Sequence, residues 1–134
     1  MQRRRFVGCA LCSIGTLAAT EVAAQTPPAT GGLRRTVLQQ ADGPMQGYVT
    51  VVVEIEVDAG AMVARHTHPG IESSYMIEGT GELLVDGQPG QQLKPGDAFQ
   101  VPVAAPHSFH NGDGTTKIAA TFVVEKGKPL ASPA

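Results

Sequence analysis

The sequence predicts an all-β domain, either a sandwich or a small barrel, and three observations carry that prediction. Apolar residues fall on alternate positions from Tyr48 to Val57. Further short apolar runs follow at a spacing of about ten residues, each closed by a turn signal. Beyond residue 24, no segment sustains a helical period.

Val49, Val51, Val53, Ile55 and Val57 share one parity, while Glu54 and Glu56 take the other, as a half-buried strand requires. Comparable runs occupy residues 62–68, 73–78, 82–85, 98–101, 107–110 and 117–124. Between them lie Asp58-Ala59-Gly60, His68-Pro69-Gly70, Gly79-Thr80-Gly81, Asp86-Gly87, Pro95-Gly96-Asp97 and Gly112-Asp113-Gly114, all good turn formers. Residues 25–32 are rich in Thr, Pro, Ala and Gly and read as a spacer. On this reading residues 25–47 form a spacer and N-terminal extension, and residues 48–126 form the domain. Residues 127–134, with two prolines, form a tail that lies over the surface or is disordered.

The first 24 residues have the make-up of a cleaved export signal. Arg3, Arg4 and Arg5 precede an apolar stretch over 7–19, and Val22-Ala23-Ala24 ends in small residues. The stretch is shorter than the roughly 20 residues that span a bilayer, so no membrane anchor is expected. Arg3-Arg4-Arg5-Phe6-Val7 resembles a twin-arginine signal, and the expected destination is the periplasm or the exterior. Cys9 and Cys12, the two cysteines, both fall in this leader, so the mature chain is expected to have no disulfide. Losing three arginines and Glu21 changes ten basic and twelve acidic residues to seven and eleven, a net charge of −4. A nucleic-acid groove needs the opposite sign.

Four residues carry the chemistry. His66 and His68 alternate on one strand and so project to the same face, about 7 Å apart along the chain. Pro69-Gly70 turns the chain so that Glu72 can return toward the same point, and His107 arrives from a distant strand. The parity of His107 places Phe109 and Asn111 on its face and His110 on the other. Imidazoles and a carboxylate are donors for a divalent transition ion, whether iron, manganese, nickel, zinc, cobalt or copper. Packed together without an ion, they would be buried polar groups in need of partners.

These residues fall into two spaced motifs. Gly60, His66, His68, Glu72 and Gly79 meet every position of the first motif of the cupin superfamily. Gly96, Pro102, His107 and Asn111 meet the second, with Ala104 standing where that motif has a glycine. The chain thus resembles a small single-domain cupin over roughly residues 47–125. The resemblance implies a jelly-roll (double-stranded β-helix) barrel with a metal in one mouth, held by His66, His68, Glu72 and His107. It further implies a structural or supporting role for Asn111 and a homodimer. The extra methyl of Ala104 puts the local backbone in question and leaves the donors intact.

A redox-active ion in such a site suits a dioxygenase of the quercetinase type acting on a small organic substrate. A redox-silent ion suits a lyase, decarboxylase or isomerase, and a periplasmic metal- or ligand-binding protein is a third reading. Glu72 can be a plain ligand or also a general base. By parity, Met62, Ala64, Ser74, Met76, Phe99, Val101 and Phe109 share the ligand face and are expected to form a largely apolar substrate pocket. A Met and Phe lining at strand spacing is equally what an ordinary core looks like.

Overall fold

The computed structural model describes residues 31–134. The leader with Cys9 and Cys12 and the first part of the spacer lie outside these residues. The described chain is all strand and turn: β1 (Leu33–Asp42), β2 (Tyr48–Val57), β3 (Met62–Thr67), β4 (Gly70–Glu78), β5 (Gly81–Val85), β6 (Gln91–Leu93), β7 (Ala98–Val101), β8 (His107–Asn111), β9 (Thr116–Glu125) and β10 (Ser132–Pro133). Two antiparallel sheets of five strands face each other, ordered β1-β2-β9-β4-β7 and β10-β3-β8-β5-β6. This is the jelly roll expected from the motifs.

Strict alternation makes the first sheet one-sided. Val49, Val51, Val53, Ile55 and Val57 of β2 are buried, as are Thr116, Ile118, Ala120, Phe122 and Val124 of β9, so the central pair presents one continuous apolar face. Met76, Val101 and Phe99 extend it across β4 and β7, while Leu83, Val85, Leu93 and Phe109 close the core from the second sheet. Burying side chains of this size contributes roughly 1.5–3 kcal/mol each before the entropy of ordering them is counted.

Both ends of the domain depart from the sequence reading. The extension contains β1, which pairs with β2 from Leu33↔Val57 to Asp42↔Val49. It is an edge strand with a bulge between Val37 and Gln39 and many exposed residues, so it shows no alternation to detect. The tail is not loose either: Leu130 is 1% exposed and β10 pairs with β3 through Ser132↔Thr67 and Pro133↔His66.

Asn111 acts as a structural tie. Its Nδ2 lies 3.1, 2.8 and 2.9 Å from the carbonyl oxygens of Val57, Asp58 and Gly114, and its Oδ1 accepts from Thr116 Oγ1 at 2.5 Å. It fastens the end of β8 to the corner after β2 and to the start of β9. Ala104 adopts φ 56°, the left-handed conformation that the glycine of the motif would take without penalty. Relief of that strain outweighs the extra freedom glycine gives the unfolded chain by roughly 0.5 kcal/mol. Ala104→Gly should therefore raise the thermal midpoint by a few degrees in a calorimetric scan, with metal binding unchanged.

Candidate metal centre

The four predicted donors meet at one end of the barrel, and they come from both sheets. His66 on β3 pairs directly with His107 on β8. His68 follows at the end of β3, and Glu72 faces them from β4 of the opposite sheet, beside Phe122 and Val101. His68, Glu72 and His107 are buried and His66 is partly so. The donor atoms of the three imidazoles all lie within 4.8 Å of one another, a set that can hold a metal ion.

Backbone carbonyls orient all three rings. Nδ1 of His66 donates to Ala64 O at 2.7 Å, Nδ1 of His107 to Ala105 O at 2.9 Å, and Nδ1 of His68 to Leu130 O at 2.6 Å. A carbonyl only accepts, so each Nδ1 carries the proton and each Nε2 is left with a free lone pair. The tail thus has a function here, because it supplies the carbonyl that fixes His68.

His68 Nε2 lies 3.1 Å from Glu72 Oε2 and His107 Nε2 lies 3.5 Å from the same oxygen. The contact is close, yet His68 Nε2 is buried without a hydrogen-bond partner. Two buried acceptors that face a common space need a cation or a proton between them. A divalent ion would meet that need, and the three imidazoles can hold one.

The electrostatics favour the forms that bind metal. Burial holds His66 neutral, lowering it to about 4, and the neighbouring imidazoles and Arg35 act in the same direction against its bond to Ala64. Burial raises Glu72, but with a proton between it and His107 or His68, and with the Ser74 hydroxyl donating to it, it is held below the usual carboxylate range. Ser74 Oγ donates to Glu72 Oε1 at 2.6 Å. In metal-free protein both groups bind fewer protons folded than unfolded, so stability is full above the unfolded histidine value and is lost as pH falls. The thermal midpoint in chelator should hold down to about pH 6.5 and then drop toward pH 4, with His66 contributing about 2 kcal/mol after discounting for its partial exposure.

The donors line one wall of a cavity of about 40 Å³ that opens to solvent at its mouth. Leu33, Ile55, Val57, Val63, Leu83, Phe99, Phe109, Ile118, Phe122 and Arg35 make up the rest. Phe99 and Phe109 are where parity placed them. Met62 and Ala64 are not: both are exposed, Met62 at 59%. The pairing of β3 with β8 shifts register between Val63 and His66, and this bulge turns Val63 inward in their place. Ser74, Met76 and Val101 do face the interior, but they belong to the core behind Glu72 and do not line the cavity. His110 is exposed, as its parity required.

The sequence reading missed Val63, Phe122 and Arg35. Phe122 had a signal, because it alternates with Ile118 and Ala120. Arg35 had none, since its strand was not detected.

Comparison with known proteins agrees with this architecture. Part of the chain is 30% identical over 71 residues to dimethylsulfoniopropionate lyase DddQ of Ruegeria pomeroyi, which is 53% of this chain but 35% of that protein. The crystal structure of that lyase superposes with a TM-score of 0.57 at 24% identity, over 63% of this chain and 43% of the other. The chain therefore spans well under half the length of this relative. An RmlC-like cupin from Shewanella frigidimarina superposes with a TM-score of 0.61 at 27% identity, over 78% and 87% of the two chains. A salicylate 1,2-dioxygenase from Pseudaminobacter salicylatoxidans shares the fold at 22% identity and a TM-score of 0.51, over 55% of this chain and 20% of that one. Residues 53–127 match the family described as the cupin domain, more than half of the chain. With two facing antiparallel sheets and a cluster of three imidazoles at one end of the barrel, the protein belongs to the cupin domain family.

Proposed function

We propose that this cupin is a metal-dependent enzyme of the dioxygenase type, with His66, His68, His107 and Glu72 holding one divalent ion. The observation that carries the reading is the poverty of the cavity in other reactive groups. Its described lining holds no lysine, tyrosine, aspartate or cysteine, and its titratable residues are the four donors and Arg35. Glu72, held ionised and strongly depressed, is a good ligand and a weak base. A substrate there must supply its own acidity, as a catechol, enol or hydroxy acid does on meeting a metal.

A redox-active ion would supply oxygen chemistry in this site, and a redox-silent one Lewis acidity. The chain's own part is to orient and to exclude water. The three Nδ1 hydrogen bonds fix the imidazoles, Ser74 fixes one oxygen of Glu72, and Phe99, Phe109 and Phe122 form a dry wall for an apolar substrate body.

A second reading, a redox-neutral lyase or isomerase, is supported by the relative named as a lyase. Oxygen-electrode assays with flavonol and catechol-like substrates, on protein loaded with iron, nickel or manganese, separate the two. Oxygen uptake that is lost in Glu72→Gln supports the dioxygenase reading. Turnover of a substrate panel under anaerobic conditions with zinc would replace it with the lyase, and bound metal with no turnover at all would leave a binding protein. The composition of residues 1–24 supports action outside the inner membrane, in the periplasm.

A further inference from the structure

Arg34 and Arg35 are consecutive residues of β1, so their side chains leave the sheet on opposite faces. Arg34 points outward and is fully accounted for, pairing with Glu56 and Asp58 at 3.0 Å each. Arg35 points between the sheets, opposite Ile55, into the cavity that holds the histidines. Among the described residues it takes part in no ion pair, and its Nε is buried without a hydrogen-bond partner. Arg35 is only half-buried, but a guanidinium cannot shed its proton, and its inward-facing, unpartnered Nε favours an anionic group beside it in the cavity.

Glu72 does not complete it. That carboxylate gives one oxygen to Ser74 and turns the other toward His68 and His107. An ion held by neutral imidazoles and a single carboxylate would leave the cavity with a surplus of positive charge. The remaining walls are Leu33, Ile55, Val57 and the phenylalanines, which suit an apolar body. The geometry points to Arg35 as the anchor for the carboxylate of a small aromatic or aliphatic monocarboxylic acid whose body lies against the phenylalanine wall. This deepens the enzyme reading proposed above by naming its substrate class, and rests on it.

The test compares benzoate with its neutral isostere benzamide by titration calorimetry on the full folded protein loaded with zinc, a redox-silent ion. A charge-assisted pair to Arg35 predicts that benzoate binds about tenfold or more tighter than benzamide. Arg35→Gln should bring the two within about twofold of each other, and Arg35→Lys should keep part of the preference, with zinc content unchanged in both variants. The inference is overturned if neither compound binds, or if the preference survives in Arg35→Gln, which would mean that the acid is held by the metal alone. Since binding is measured without turnover, an acid preference that depends on Arg35 in a protein with no catalytic activity would contradict the enzyme reading and leave this one standing.

Discussion

His68→Ala should abolish useful metal binding, lowering affinity by at least about a hundred-fold. Changes to groups that merely support a ligand already cost ten- to hundred-fold, and His68 is the donor with the strongest structural demand for a cation. Its Nε2 is buried without a hydrogen bond 3.1 Å from Glu72 Oε2, while its Nδ1 is tied to Leu130 O. Thermal unfolding with and without metal reads the effect directly. Wild-type protein should gain about 2.7 kcal/mol at a metal concentration one hundred times its dissociation constant. The variant should gain no more than about 0.4 kcal/mol under the same conditions, whereas His110→Ala, which changes an exposed ring on the opposite face of β8, should behave as wild type. An equal gain in His68→Ala would remove it from the site.

The second large effect is structural and lies two residues before Glu72. A Cβ on Gly70 would sit 1.9 Å from Val123 O and 2.7 Å from Val124 Cα, both backbone atoms of the paired strand β9. Backbone in the middle of a sheet cannot yield as a side-chain tip can, so the strands must part. Gly70→Ala should cost about 3–4 kcal/mol and lower the thermal midpoint by roughly 15–25 °C. Because the displaced strand carries Glu72, metal affinity should fall as well. Gly114→Ala serves as the control: nothing lies within 4 Å of its added methyl, and its midpoint should move by no more than a degree or two. Loss of stability in both variants alike would point to a general sensitivity of the sheet and against this contact.

What could be read from the sequence follows from where the physics leaves a period. β2 and β9 alternate without a break because one face is wholly buried, and so Val49 to Val57 announced a strand. The two motifs located His66, His68, Glu72 and His107, and the fold brings those four together. β1 was silent for the opposite reason, since an edge strand whose residues are largely exposed has no pattern to keep. The bulge between Val63 and His66 defeated parity over only a few residues, yet that was enough to put Met62 and Ala64 in the pocket when Val63 belongs there. Arg35 and the Leu130 carbonyl come from the two ends of the domain. Their role depends on long-range pairing that no local spacing records.

Elemental analysis of the protein purified from its native compartment, followed by uptake of iron, manganese, nickel, cobalt, zinc and copper by the chelated form, tests the metal centre most directly. The donor set predicts about one transition-metal ion per folded chain, with His68→Ala and His107→Ala each losing it while His110→Ala keeps it. A folded wild-type protein that carries no transition metal as isolated, and takes up none of the six at neutral pH, would contradict the account.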